Sequence, residues 1–362
     1  MRIVIIGRFG IEAFGRHIAE TLRAMGHDVV TCDPFTDVPL GWFDVRLRTP
    51  LIHKVRGLIV KEMLSRDRYA VNLVRRMHMM LEGNDCDLIL STHDFLSPVA
   101  LSRLRTEFSA RIALWFPDHA ARLERAFMLC GLYDCLFFKD PYLVERFRSE
   151  LGLIQTHYLP ECCNPVLHSL SEVPSADQPH DLGTAGNLHP ARAVLLQRLL
   201  QEGHKLTVWG PPVPTWMRGF SQGIESLPFV ANEDKVRAFR SCKIVLNTTH
   251  PAEVEGTNVR TFEAAAANAF QLVNYRSALH QLFDVETELA TFRTADELAE
   301  KVTYYLPREE ERRRMAELAQ QRVLREHTYE QRLNTMLSIV NTETVPFNSA
   351  NGGPRDTYRK IA

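Results

Sequence analysis

Short apolar runs alternate with amphipathic stretches along most of this chain. The runs are apolar on both sides of the strand, the mark of strands buried on two faces rather than one. The first thirty-three residues predict a strand at Arg2–Ile6, an amphipathic helix over 11–25 and a second strand at Asp28–Cys32 that ends at Asp33. Further strands are expected at 88–90, 112–116, Cys135–Phe138 and 157–159, with helical stretches between them. This alternation implies a parallel sheet covered by helices on both faces. It breaks at 164–179 (NPVLHSLSEVPSADQP), a stretch rich in Pro, Ser and acidic residues without helical or strand period.

A second alternating series follows. It predicts a strand ending at Gly186, a helix at Pro190–Gln201, a strand at 205–209, a helix at 232–241, a strand at 243–247 and a helix beginning near Thr257. Strands at 271–273 and 289–292, a helix at 295–306 and long helical segments over 309–340 complete it. The fold class expected is therefore α/β, with two Rossmann-like domains: residues 1–165, a linker at 166–180, a second domain at 181–327, a C-terminal helix at 328–341 reaching back to the first domain, and a polar, frayed tail at 342–362.

Composition narrows the function. The 362 residues carry 43 basic and 44 acidic side chains, a formal net charge of −1 that gives no chain-wide attraction to nucleic acid. No apolar run approaches the ~20 residues that span a bilayer, and MRIVIIGRFG lacks the cleavage pattern of a signal peptide. A cytoplasmic protein is expected. Seven cysteines, an odd number in mostly apolar surroundings, read as reduced buried thiols, and neither they nor the histidines have zinc-ligand spacing. No metal and no cofactor is expected.

The most informative stretch is 247–273, NTTHPAEVEGTNVRTFEAAAANAFQLV. An apolar strand runs into a polar loop, and Gly256, Thr257 and Asn258 supply small and capping residues ahead of a helix. The unpaired amides of its first turn, with Arg260, suit a diphosphate. Glu263 on the same helix suits the hydroxyls of a ribose, Glu255 on the loop suits a sugar hanging from the diphosphate, and the run Ala264–Ala267 allows close packing on the sheet. The plain alternative is an exposed Arg260–Glu263 ion pair worth about 0.2–0.5 kcal/mol.

Other groups fall at the ends of predicted strands. Asp118 and His119 follow ALWFP and suit contact with the sugar or deprotonation of an acceptor; His93 and Asp94 in STHDFLSP are a rival pair, and helix capping is the plain role for both aspartates. The loop Gly7, Arg8, Phe9, Gly10 joins the first strand to its helix, but its spacing is wrong for a dinucleotide fingerprint. An acceptor-side loop is the reading preferred over NAD(P) binding. Residues 42–82 hold nine basic against four acidic residues, a local charge of +5. They offer either a basic surface for an anionic membrane or acidic acceptor, or a solvated face over a buried apolar stripe.

The chain resembles the CgeB-type, spore-maturation-like glycosyltransferases, relatives of glycosyltransferase family 4. The resemblance rests on AGNLHPARAVLLQRL, VWG, KIVLN, GTNVRTFEAAAANAFQLV, ELATFRTADELAEKVTYYL and HTYEQRLNTML in order, with weaker likeness upstream through LWFPDHAARLE and YDCLFFKDPYLVERFRSELGLIQTHYLPECCNP. It implies a GT-B fold, two domains facing across a cleft, and transfer of a sugar from a nucleotide-diphosphate sugar to a hydroxyl of a glycan, protein or small molecule, metal-independent and with retention at the anomeric carbon. It further implies that Glu263 binds ribose, that Arg260, Arg192 and the helix start hold the diphosphate, and that Glu255 completes an E-x7-E arrangement; a parallel sheet would bring Asn247 together with these residues. The chain differs from family 4 enzymes in lacking a loop arginine followed at their spacing by a lysine, which leaves part of the diphosphate clamp unassigned. A GT-B nucleotide-sugar epimerase and a non-catalytic nucleotide-sugar-binding protein are the alternatives that share this donor site.

Overall fold

The computed structural model describes residues 1–34, 62–64, 66–123, 126–130, 132–169, 178–213 and 215–342. Residues 35–41, residues 42–61 and 65 of the basic segment, 170–177 of the expected linker, and the tail from 343 onward lie outside the described residues.

The first half contains β1 (Arg2–Ile6), α1 (Phe14–Ala24), β2 (Asp28–Cys32), α2 (Asp67–Met80), β3 (Leu88–Ser91), α3 (Pro98–Glu107), β4 (Arg111–Phe116), β5 (Cys135–Phe138), α4 (Pro141–Leu151) and β6 (Thr156–Tyr158). Its strands form one parallel sheet in the order β2-β1-β3-β4-β5-β6. The alternation of side chains explains the two-sided apolar runs. Val4, Ile6, Ile112, Leu114, Leu136 and Phe138 pack with α2, α3 and α4 on one face. On the other face Ile3, Ile5, Ala113, Trp115, Cys135 and Phe137 pack with α1.

A short helix, α5 (Pro165–His168), capped by Asn164, stands where the sequence showed only a linker. Four residues are too few to give a helical period, which is why the pattern missed it. The second half then runs β7 (His180–Ala185), α6 (Pro190–Gln201), β8 (Leu206–Trp209), β9 (Ile224–Leu227), α7 (Asn232–Arg240), β10 (Cys242–Asn247), α8 (Val259–Ala266), β11 (Gln271–Asn274), α9 (Leu279–Leu282), β12 (Ala290–Phe292), α10 (Ala295–Tyr305), α11 (Glu309–Glu326) and α12 (Tyr329–Thr342). Its parallel sheet has the order β12-β11-β10-β7-β8-β9. The order reverses between β10 and β7, and in open α/β sheets ligands settle outside the carboxyl ends of the strands at such a switch point. β9 was not expected from sequence because it is an edge strand whose two middle residues are exposed.

The last helix crosses back. Tyr329, Leu333, Met336, Leu337 and Val340 of α12 join Ile3, Ile18, Leu22 and Trp115 of the first half in one core cluster. The crossing is pinned by Cys163, whose amide donates to His327 and whose carbonyl accepts from Tyr329. The chain therefore folds as two parallel-sheet domains with a returning C-terminal helix, as its pattern predicted. The described part of the basic segment, α2, buries Tyr69, Ala70, Leu73, Val74 and Met77 in the core. That is a solvated helix over an apolar stripe, and among the described residues no helix is long and apolar enough to cross a membrane.

Candidate functional site

A cleft of about 820 Å³ opens between the carboxyl ends of the two sheets. One wall is built by residues that follow β4, β5 and β6, namely Pro117, Asp118, His119, Lys139 and Glu161. The other is built by residues following β7, β9 and β10 and by the first turn of α8.

Two guanidinium groups form its floor. Arg192 lies in the first turn of α6, a helix that starts sharply because Pro190 is its first residue and His189 Nδ1 accepts from the Arg192 amide at 3.3 Å. Its side chain turns inward and is 3% exposed. It donates to Thr248 Oγ1 at 2.7 Å, Asn187 O at 2.5 Å and Thr248 O at 3.2 Å. Arg260, in the first turn of α8, donates from Nε to Ala185 O at 2.7 Å and from Nη1 to Asn247 Oδ1 at 3.3 Å. Asn247 in turn donates to Thr261 Oγ1 and Gln271 Oε1, so it orients Arg260 and does not itself line the cleft. The two arginines meet under Gly186, whose φ is +115° and where a Cβ would stand 2.5 Å from Arg260 Nη2. Only glycine leaves room for that guanidinium.

Every contact just named is to a neutral oxygen. Among the described residues neither Arg192 nor Arg260 has a carboxylate within ion-pair distance, although many other arginines do. Burial and the neighbouring Arg260 push the Arg192 guanidinium well below its usual basicity. Glu263 and Glu161 act on Arg260 only from beyond ion-pair distance, so two adjacent buried cations without a direct ion pair are costly, and a bound anion would relieve that cost. The start of α8 adds to the site. Asn258 occupies the capping position without making a capping bond, and its Oδ1 is buried and unpartnered at the cleft. Thr257 instead bonds the Thr261 hydroxyl at 2.6 Å.

Glu263 follows on α8 and is buried in the cleft wall. Lys235 of α7 donates to it at 3.0 Å and also to Glu12 of the other domain. Burial opposes ionisation of Glu263, but Lys235 and then His168 outweigh it and hold the carboxyl below its usual range. Glu12, Glu263 and His168 converge closely enough to be a metal-ligand set. The Lys235 ammonium already bridges the two carboxylates, however, and takes the place a cation would have. The Glu12 backbone adopts a φ of 60°, outside the helical region. Its carboxylate also accepts from the Asn232 amide at 2.5 Å, capping α7 from the opposite domain. A residue with that φ cannot lie in a right-handed helix, and α1 starts at Phe14, three residues later than the apolar pattern suggested.

Three imidazoles meet across the cleft. His119 stacks flat on His250, with ring centroids 4.0 Å apart and planes 1° from parallel, and His189 lies 5.4 Å from His250. Burial, then His250 and Lys139, depress His119 to about 4. Burial, then Arg192 and His250, do the same to His189. Asp118 beside them is half exposed, and its Oδ2 lies 3.7 Å from His93 Nε2. Asp94 is committed to structure, because its carboxylate accepts from the amides of Phe127 and Met128 at 2.9 and 3.0 Å.

The structure thus brings Asp118, His119, Arg192, Asn258, Arg260 and Glu263 to one cleft. Gly7, Arg8, Phe9, Gly10, His93 and Asp94 are not among its lining residues, and neither are Asn247, Gly256, Thr257 and Glu255. The Glu255 amide is held by the Asp140 carboxylate at 3.2 Å, and the lining acid of that loop is Glu253. Gly256 is packed against the other domain, where a Cβ would stand 2.7 Å from Lys139 O. Sequence reasoning missed Glu12, Lys139, Glu161, His189, Lys235, His250 and Glu253. The one available signal was position, since all but Lys235 lie within a few residues of a strand end or in a loop already singled out.

Comparison with known proteins bears on the fold. Residues 192–338 match the sequence model of a family described as glycosyl transferase-like. Among solved structures, the chain is similar to sucrose-phosphate synthase from Thermosynechococcus elongatus, 13% identical with a TM-score of 0.66 over 94% of this chain and 98% of that one. It is similar to a glycosyltransferase from Rickettsia africae, 10% identical with a TM-score of 0.65 over 94% and 97%. It is also similar to HepE from Anabaena, solved in complex with UDP and glucose, 13% identical with a TM-score of 0.62 over 95% and 100%. No curated protein sequence matches the chain. These likenesses extend over both domains and show that the fold is GT-B.

Proposed function

We propose that this protein is a glycosyltransferase that moves a sugar from a nucleotide-diphosphate sugar to an acceptor hydroxyl. The observation that carries the reading is the pair Arg192 and Arg260, two adjacent buried cations without a direct ion pair, at the sheet's switch point and at the start of two helices. A diphosphate supplies two or three negative charges at that place. Glu263, ionised and facing the cleft, suits the ribose hydroxyls, and the exposed ring of Phe229 at the cleft wall suits stacking on the base. HepE, solved with UDP-glucose, is a similar fold that binds such a donor.

In the reaction the acceptor oxygen forms a bond to the anomeric carbon while the bond from that carbon to the diphosphate oxygen breaks. The nucleoside diphosphate departs with the electron pair, and Arg192 and Arg260 stabilise the charge that develops on it. The two guanidiniums already supply positive charge to the leaving group, so activity is expected to survive a chelator. The departing phosphate oxygen takes the acceptor proton, which sets the acceptor on the face the leaving group occupied and retains the anomeric configuration. Asp118 and His119, on the opposite wall, suit the acceptor, which is a glycan, a protein or a small molecule. All seven cysteines are free thiols, in keeping with a reducing compartment, and we assign the reaction to the cytoplasm.

The test is release of nucleoside diphosphate from UDP-, GDP-, dTDP- and ADP-sugars, with and without EDTA, and product analysis by NMR. Release from one donor, insensitive to EDTA and giving a retained anomer when an acceptor is present, supports the reading. Interconversion of the donor's sugar without release assigns an epimerase instead. Binding without any turnover assigns a nucleotide-sugar-binding protein.

A further inference from the structure

All but one of the charged side chains that line the cleft have a partner or a place in the donor site already described. Lys139, just after β5, lies with Nζ 3.1 Å from Glu161 Oε2 and 2.8 Å from Glu253 Oε1. Lys235 bridges Glu12 and Glu263, and Asp118 faces His93. Arg192 and Arg260 turn to the place assigned to the diphosphate. Arg122 remains. It ends a short 3-10 turn, Ala120–Arg122, that follows β4 on the wall of the first domain, and it is exposed at the cleft. Among the described residues its side chain makes no hydrogen bond and no ion pair.

The rings beside Arg122 present donors. His250 Nδ1 accepts from the Ala252 amide at 3.1 Å, as His189 Nδ1 does from the Arg192 amide at 3.3 Å. A neutral imidazole whose Nδ1 is an acceptor carries its proton on Nε2, so each of these rings offers an N–H. His119, flat against His250, has a buried Nδ1 without a hydrogen-bond partner. The rings also separate two ends of the cleft. Burial and then Arg192 lower the pKa of His189, whereas burial and then Arg122 and Lys139 lower that of His250. Arg122 thus stands beyond His250, away from the Arg192–Arg260 floor. Burial, then His250 and Lys139, lower His119, with Asp118 acting the other way. A wall that offers a guanidinium and imidazole N–H groups, with its one nearby carboxylate beside His93, suits an anion.

Resting on the glycosyltransferase reading above, we propose that the acceptor is anionic, a hydroxyl-bearing molecule with a phosphate or carboxylate group, and that Arg122 with the His119–His250 pair holds that group. The anion gives Arg122 the counter-charge it lacks and gives the imidazole N–H an acceptor. Asp118, on the same wall, is left to take a hydroxyl. A neutral acceptor makes only the hydroxyl contact and leaves the guanidinium unused. Because His189 and His250 lie between Arg122 and the diphosphate floor, the acceptor's anion and the donor's are held at separate places and neither displaces the other.

The test is calorimetry on the parent, Arg122→Gln and Arg122→Lys. Each protein is first saturated with the tightest binder among UDP, GDP, dTDP and ADP, which fills the Arg192–Arg260 floor, and is then titrated with glucose 6-phosphate, glucuronate and glucose. The exposed position of Arg122 at the end of a turn leaves the core untouched by either substitution. The parent is expected to bind one of the two anionic sugars at least about tenfold more tightly than glucose. Arg122→Gln is expected to lose about tenfold of that affinity and Arg122→Lys, which keeps the charge, clearly less, while both bind the nucleoside diphosphate within about twofold of the parent. The tighter of the two anionic sugars names the group, a phosphate ester or a carboxylate. Anionic sugars that bind no more tightly than glucose, or a preference for them that is unchanged in Arg122→Gln, overturn this inference alone. A parent that binds no nucleoside diphosphate overturns the donor reading itself, and this inference with it.

Discussion

Replacing Arg260 with methionine removes one of two neighbouring cations and leaves a chain of similar length. Arg260 Nη2 and Arg192 Nη1 approach one point beside Gly186 to 2.5 and 3.7 Å, so the two nitrogens stand no more than about 6 Å apart and their charges repel by ~3 kcal/mol or more at an effective dielectric constant of about 20. The substitution relieves that repulsion and the desolvation of one guanidinium. Against this, it loses the bonds to Ala185 O and Asn247 Oδ1, about 1.5–3 kcal/mol each for a charged donor. The opposing terms are of similar size, so urea unfolding of the ligand-free variant is predicted to fall within about 2 kcal/mol of the parent. Binding of a nucleoside diphosphate loses one of the two cations that face it, a loss of about 2–5 kcal/mol or at least ~30-fold in affinity by calorimetry. A variant that is destabilised by more than about 4 kcal/mol yet binds nucleotide like the parent refutes the reasoning. Arg260 would then be a structural cation.

Glu263→Gln is predicted to weaken nucleotide binding while the fold survives, because Lys235 keeps Glu12 as its partner. Lys235→Met leaves Glu12 and Glu263 facing each other without a cation and is predicted to cost about 3–5 kcal/mol in denaturant unfolding; equal stability of the two variants would contradict this ordering. Gly256→Ala sets a methyl group 2.7 Å from Lys139 O and 3.0 Å from Asp140 Cα, and a loss of about 1–3 kcal/mol is expected from the forced shift at the domain junction. His119 has a folded pKa of about 4, below its ordinary 6.5. The unfolded chain thus binds more protons between those values, and the His119 contribution to stability, present above pH 6.5, is lost as pH falls towards 4. A plot of Tm against pH should be shallower over that window for His119→Gln than for the parent, and parallel curves would show that the His119–His250 stack does not carry the proton linkage.

The two-sheet architecture was legible in the chain because each sheet is buried on both faces. Runs such as IVII, after Arg2, and CLFF are apolar throughout, and the even and odd positions of β1 feed two different core clusters. The edge strand β9 and the four-residue α5 were not legible, since one is half exposed and the other is shorter than a helical period. Within the site, residues on regular elements were found: Arg192, Arg260 and Glu263 all sit in helices whose starts carry a sequence signature. The loop acid was harder. Glu253 and Glu255 are two residues apart in one irregular segment, and which of them enters the cleft is decided by Asp140 and Lys139 of the other domain. No local pattern encodes such a contact. The same holds for Glu12 and Lys235, far apart in sequence and joined only when the domains face each other.

The central claim is that Arg192 and Arg260 form a diphosphate site. It is tested most directly by calorimetric titration of the parent with the nucleoside diphosphate and the nucleoside monophosphate of the same base. The account predicts that the diphosphate binds more tightly by about 2–4 kcal/mol, roughly 30-fold or more, since the second phosphate adds negative charge opposite two guanidiniums that have no direct ion pair. Equal affinity for the two nucleotides, or binding of neither, would contradict it.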